Sequence, residues 1–274
     1  MKLDRCRICG GAEAAATATV AGYQYVRCAG CGVERMTEYP SAEECSRFYE
    51  SGYMEKEFNN LGHHLHFAPE YRETYFAEKD LTFADLRLDR AALRGRKLLD
   101  VGCANGQFIE YANRLGMDGS GIDISAEMVE AARKNGLSCV VKDLFDIEGE
   151  YDMLTFWDVI EHVPDPRRML EKSRSVLAAN GEVVIQTPCT GMISELFGDR
   201  WLYYLPVQHL HLFSQESLFR LLSETGFAVV SWVRFGSCNP RGSIPDLNKR
   251  VIDTITKRLC IGDTIALRAR KVGN

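Results

Sequence analysis

The stretch Leu98-Leu99-Asp100-Val101-Gly102-Cys103-Ala104-Asn105-Gly106-Gln107-Phe108 runs from an apolar strand through a turn of small residues into a helix. In open α/β sheets, ligands sit at the carboxyl ends of the strands, and a small-residue turn lets the backbone approach them. Two readings compete with an empty strand-to-helix turn. A dinucleotide fingerprint needs Gly-x-Gly-x-x-Gly, but counting from Gly102 gives Ala104 and then Gln107 where glycines should stand. What remains is Asp100-x-Gly102-x-Ala104-x-Gly106, where alanine at 104 costs little if its φ is negative.

Working outward, short apolar runs alternate with amphipathic segments from Lys97 onward. Expected strands are 97–101, 119–124, 138–142, 153–157, 182–186, 227–234 and 264–269; expected helices are 107–115, 126–135, 166–178 and 215–225. Helices between strands imply parallel βαβ units with right-handed crossovers, hence an α/β, doubly wound, mostly parallel seven-stranded sheet. The last two strands lack that alternation and read as an antiparallel edge pair. Asp123 lies 21 positions after Gly102 at the end of the second strand, where an acid can accept both ribose hydroxyls.

Upstream, Cys6-x-x-Cys9 and Cys28-x-x-Cys31 are separated by 18 residues, a spacing that suits four thiolates around tetrahedral zinc. Gly10 and Gly32 follow the pairs, and residues 17–27 alternate like a hairpin around Gly22. The reading is a zinc ribbon with a closed, structural site; redox Cys-x-x-Cys motifs are the alternative. The other cysteines (Cys45, Cys103, Cys139, Cys189, Cys238 and Cys260) are scattered and read as packing residues. The expected partition is ribbon 1–40, helical connector or cap 41–95, and cofactor-binding domain 96–274. The connector starts on a capping box, Ser41-Ala42-Glu43-Glu44, and carries His63, His64 and His66, read as a lid over the pocket or a solvated loop.

The strand-turn-helix, with acids ending the following strands, resembles the class I S-adenosylmethionine-dependent methyltransferases, a broad small-molecule family with a Rossmann-like fold. The likeness runs from about residue 96 to 235. It includes Trp157-Asp158-Val159-Ile160-Glu161-His162-Val163, Thr187-Pro188 and Gln208-His209-Leu210-His211. It implies that Asp100, Gly102, Cys103, Ala104, Gly106, Asp123, Ile124, Asp143, Leu144 and Asp158 hold S-adenosylmethionine, with Asp143 flanking the adenine.

Methyl transfer from a sulfonium is an in-line displacement in which positioning does much of the work, and a base is needed only if the acceptor must lose a proton. His162 and His209 are the candidate bases, with a structural role as the alternative for each. Tyr203, Tyr204, Gln208 and His211, beside Trp201, are candidate substrate residues.

The 274 residues carry 33 Lys and Arg against 38 Asp and Glu, a net charge of −5 that argues against a nucleic-acid partner. With 46% hydrophobic and 26% charged residues, the chain reads as a soluble globular protein rather than a disordered or membrane one. Its start, Met1-Lys2-Leu3-Asp4-Arg5-Cys6, lacks an apolar leader and reads as cytoplasmic. The expectation is methyl transfer to an O, N or C atom of a small molecule such as a glycan precursor or secondary metabolite. A zinc-ribbon ribosomal-RNA methyltransferase is one alternative. The other is a non-catalytic sensor whose ribbon docks a carrier or partner protein.

Overall fold

A computed structural model describes residues 5–41, 43, 69–236 and 246–273 of the chain. An N-terminal hairpin of β1 (Ala14–Val20) and β2 (Tyr23–Cys28) is followed by β3 (Glu34–Met36). Helices α1 (Arg72–Asp85) and α2 (Arg90–Leu93) lead into β4 (Lys97–Val101), α3 (Gln107–Arg114), β5 (Asp118–Asp123), α4 (Ala126–Lys134) and β6 (Cys139–Val141). The chain continues with β7 (Tyr151–Trp157), α5 (Pro166–Val176), β8 (Leu177–Thr190), α6 (Met192–Phe197), β9 (His211–Ser214), α7 (Gln215–Glu224) and β10 (Phe227–Phe235). It closes with α8 (Asp246–Arg258) and β11 (Thr264–Lys271).

The helices begin where local chemistry starts them. The Ser125 hydroxyl accepts from Met128 N, Asp165 Oδ1 accepts from Arg168 N with Pro166 in the first turn, and Ser214 Oγ accepts from Ser217 N. Strands β5, β4, β7 and β8 pair in parallel, with β6 outside β5; β11 then joins β8 antiparallel and β10 joins β11 antiparallel. These are the seven expected strands, with the antiparallel pair at the expected edge. Alternation along them separates two cores. Leu98, Met153, Val184 and Ala266 face α1 and α3, whereas Leu99, Leu154, Val183, Ile185 and Ile265 face α5 and α7.

Two features depart from the expected layout. The connection between the last two strands, expected to lack the regular alternation, contains α8. The ribbon is joined to the sheet: β3 pairs antiparallel with β9, and β9 runs parallel to the end of β8 at Cys189 and Thr190. Cys6, Ile8, Cys28, Cys31 and Val33 therefore share a core with α5 and α7. Within the stretch 41–95, expected to be helical, the described residues form α1 and α2. Glu44 of the capping box, Cys45, the histidines His63, His64 and His66, and Cys238 lie outside the described residues. Among the described residues, no helix is long and apolar enough to cross a membrane.

Candidate active site

The β4 turn is tied to β5 by Gly102 N and Cys103 N, which donate to the Ile122 carbonyl at 2.8 and 3.0 Å. Gly102 has φ +73°, and a Cβ there would stand 2.7 Å from Val159 Cγ2, so both backbone and space require glycine. Ala104 does not meet the condition for a cheap alanine: its φ is +44°, in the left-handed region. Such a conformation costs an L-residue about 1–2 kcal/mol, and Ala104 N offsets part of it by donating to Asp123 Oδ2 at 2.9 Å. The other Asp123 oxygen accepts from Ser125 N at 2.8 Å. Asp123 thus joins the β4 and β5 turns, and each oxygen keeps a lone pair for an incoming hydroxyl.

Beside it, Ile124 is 66% exposed and Phe145 39%, although both are large and apolar. Asp143 is exposed and its Oδ1 accepts from Phe145 N at 2.9 Å, while Leu144 is buried beneath. Open apolar surface bordered by a carboxylate suits an aromatic heterocycle with an exocyclic amine. Cys103 is buried against Gly121 and its side chain packs under the turn.

Deeper in the cleft, Asp100 accepts from Thr155 Oγ1 at 2.6 Å, and burial pushes its carboxyl up to about 7. Across from it stands a residue that the motif reading missed. Lys79 of α1 is 6% exposed, with Nζ 3.4 Å from the Trp157 ring centroid and 5.0 Å from that of Tyr75. Burial brings its ammonium down to about 8, against the opposing pull of Asp158 and Asp100. The signal was present in the sequence: Phe76, Lys79 and Phe83 recur at helical spacing, which places Lys79 on the buried face of α1.

After β7 the chain turns at Asp158, whose φ is +54° and whose Oδ2 accepts from Gln186 Nε2 at 2.9 Å. The turn presents Glu161 and His162. His162 Nδ1 lies 2.9 Å from the Gln208 carbonyl oxygen, and His209 Nδ1 lies 2.8 Å from that of Tyr203. A carbonyl only accepts, so both protons are assigned to Nδ1. The two rings meet edge to face at 4.8 Å, and Tyr203 stacks on His209. Burial lowers His162 to about 4, so its imidazole is neutral at neutral pH. The structure therefore brings His162, His209, Tyr203 and the Gln208 backbone together.

It places Tyr204 and His211 elsewhere. Both are buried in the ribbon seam, where the Tyr204 hydroxyl donates to Glu34 Oε2 at 2.6 Å and His211 Nε2 lies 2.7 Å from the Tyr39 hydroxyl. Trp201 is likewise buried, its indole N–H bonded to Asp263 at 3.1 Å. These side chains are buried instead of forming open surface, because they pack between the ribbon and the sheet.

At the ribbon, the four Cys sulfurs lie within 4.8 Å of one another, with Cys6 to Cys31 at 3.7 Å and Cys9 to Cys28 at 3.5 Å, and all four thiols are free. A tetrahedron with bonds of about 2.3 Å has edges of about 3.8 Å, so this set fits a tetrahedral ion. Gly10 N donates to Cys6 O and Gly32 N to Cys28 O, both glycines at positive φ, giving two matching turns under the thiols.

A family profile described as "Methyltransferase domain" matches residues 70–232, more than half of the chain. The chain belongs to this methyltransferase family. Curated relatives named "Ubiquinone biosynthesis O-methyltransferase" include one from Xanthomonas oryzae pv. oryzae, 32% identical over 117 residues, covering 39% of this chain and 48% of the relative. One from Erwinia tasmaniensis is 35% identical over 117 residues, covering 37% and 48%. The methyltransferase thus spans about half the length of the curated relatives it matches. Its fold is similar to a magnesium protoporphyrin IX methyltransferase from Synechocystis solved with bound SAH, at TM-score 0.54 and 16% identity, covering 82% of this chain and 97% of that one. It is also similar to a SAM-dependent methyltransferase from Archaeoglobus fulgidus, at TM-score 0.53 and 21% identity, covering 73% and 94%.

Proposed function

We propose that this methyltransferase moves a methyl group from S-adenosylmethionine to an oxygen, nitrogen or carbon atom of a small molecule, a class that includes glycan precursors and secondary metabolites. The observation that carries the reading is Asp123, fixed by the Ala104 and Ser125 amides at the carboxyl end of β5 beside the open surface of Ile124 and Phe145. Relatives named O-methyltransferases support oxygen as the acceptor atom.

S-adenosylmethionine supplies an electrophilic methyl carbon on a sulfonium. Asp123 receives the ribose hydroxyls, and Asp143 with Ile124 and Phe145 flanks the adenine. Gly102, Cys103, Ala104 and Gly106 offer backbone, while Asp100 and Asp158 form the floor of the cleft. Lys79, buried over Trp157, supplies a cation for the carboxylate of the amino-acid portion. His162 and His209 face the acceptor with Nε2 carrying the lone pair, which makes them the candidate proton acceptors. The ribbon thiolates Cys6, Cys9, Cys28 and Cys31 hold a structural zinc, since a four-thiolate site keeps no open position.

Calorimetry with S-adenosylhomocysteine tests the cofactor assignment. Wild type binds it, and Asp123→Ala weakens binding by about tenfold or more, the loss of a charge-assisted bidentate contact of roughly 1.5–3 kcal/mol. Equal affinity of the two proteins contradicts the assignment.

A further inference from the structure

The two Cys-x-x-Cys turns of the ribbon meet α5 and α7 through a cluster of charged side chains that the cofactor cleft does not use. Arg167 of α5 donates from Nε to the Ile8 carbonyl at 2.9 Å, and Arg220 of α7 donates from Nη1 to the Gly30 carbonyl. Glu224 of α7 stands between them: its Oε2 pairs with Arg167 Nη2, and its Oε1 accepts from Arg220 Nε at 2.7 Å. Each guanidinium thus reaches one turn, Arg167 the turn between Cys6 and Cys9 and Arg220 the turn between Cys28 and Cys31. Two guanidinium groups against one carboxylate leave one net positive charge beside the thiols, and the carboxylate fixes the direction of both forks.

The choice of carbonyl matters, because each belongs to a peptide whose N–H is that of a cysteine in the thiol set: Ile8–Cys9 and Gly30–Cys31. In the first, the Cys9 N–H donates in turn to the Cys6 sulfur. A guanidinium on the carbonyl polarises the peptide and strengthens the hydrogen bond that its N–H makes. Contacts therefore run from Arg167 through the Ile8–Cys9 peptide to the Cys6 thiol. The backbone also lies close to the sulfurs, since a Cβ at Gly30 would stand 3.2 Å from Cys9 Sγ and one at Gly11 3.3 Å from it. Four thiolates around Zn2+ leave a dianionic centre, and Cys6, Cys28 and Cys31 are buried. Hydrogen bonds and nearby cations are what offset such a charge away from water.

We propose that Arg167 and Arg220, bridged by Glu224, are positioning residues of the ribbon metal centre: they hold both turns in place and draw charge from the thiolates through the Ile8–Cys9 and Gly30–Cys31 peptides, which slows loss of the ion. Their role rests on the reading of the four thiols as a zinc site, not on the identity of the methyl acceptor.

Zinc content of the purified full-length protein is measured first, and release is then followed as zinc passes to the chelator 4-(2-pyridylazo)resorcinol. Wild type holds one equivalent. Arg167→Met and Arg220→Met, which keep an aliphatic stem and lose the charge, each release it about tenfold faster. Arg167→Lys and Arg220→Lys recover part of the wild-type rate. S-adenosylhomocysteine affinity near wild type in each variant shows that the fold persists. Packing alone would change release without touching the thiolates, so the second readout is cobalt(II) exchanged for zinc. Its thiolate-to-metal charge-transfer band moves to lower energy in Arg167→Met, because a thiolate with weaker hydrogen bonds is a better electron donor. Zinc absent from wild type overturns the zinc reading and this proposal with it. Zinc present, with release rates of both methionine variants equal to wild type, overturns the proposal and leaves the zinc reading standing. Faster release with an unmoved cobalt band reduces the arginines to packing residues and equally overturns it.

Discussion

Lys79 is a buried charge in the cleft, and its cost has a definite pH signature. Its ammonium titrates near 8 in the folded protein against 10.5 for an exposed lysine. Below about pH 8 the group is charged in both folded and unfolded chains, so the full burial cost opposes folding. Between about 8 and 10.5 the folded protein sheds the proton first, and stability rises with pH. Lys79→Met is therefore expected to stabilise the cofactor-free protein at pH 7 by about 2 kcal/mol, partly offset by the lost Trp157 contact. The gain shrinks toward zero near pH 10.5, as measured by urea denaturation at the two pH values. A gain of equal size at both would contradict the assignment. Residues differ in how plainly the sequence shows their place. The position of Asp123 at the end of β5 is legible from its distance to Gly102, because strand length and turn length fix where an acid must fall. The left-handed Ala104 is not legible, because nothing in an alanine signals positive φ and the hydrogen bond that holds it comes from a residue 19 positions away. Burial of Tyr204 and His211 was equally hidden, since it depends on where the ribbon docks.

Among the elements, β9 has the widest reach for its size. Four residues link the ribbon, through β3, to the end of β8, and the loop before it carries His209. A structural zinc supplies much of a ribbon's folding energy, because the enclosed core is too small to do so. Cys31→Ser is therefore expected to raise amide hydrogen exchange in residues 24–36 and 209–213 together, while residues 97–123 keep their protection. Mass-spectrometric exchange measures this directly, and increased exchange confined to the ribbon would contradict the coupling. The parallel strands and their helices were legible in place, since most carry an apolar run or a cap of their own, although β8 extends beyond the expected 182–186 at both ends. Strands β3 and β9, three and four residues long, carry no period of their own and exist because they find each other across more than 170 positions. Helix α8 was missed for a related reason: its connection joins antiparallel strands, where the βαβ rule expects no helix.

At the scale of the whole molecule, the sheet collects Asp100, Asp123 and Asp158 at the carboxyl ends of adjacent strands, Lys79 of α1 lies near Asp100 and Asp158, and Tyr25 of the ribbon bonds the His209 carbonyl beside His162. The sheet order puts the cofactor turn at the point where the chain reverses direction across the sheet, with β5 and β6 on one side of β4 and β7 and β8 on the other. Fold and cofactor were legible because they rest on periodicity and on a turn whose chemistry is local. The meeting of His162 with His209 was not, because the β7 turn and the 201–211 segment come together only in the folded chain. Methyl transfer to a small molecule is measured by incubating the purified protein with methyl-labelled S-adenosylmethionine and a small-molecule metabolite extract, then following products by mass spectrometry. A labelled small molecule formed in step with S-adenosylhomocysteine is expected, and its loss in Asp123→Ala. Tight S-adenosylmethionine binding with no labelled product and no S-adenosylhomocysteine would contradict it.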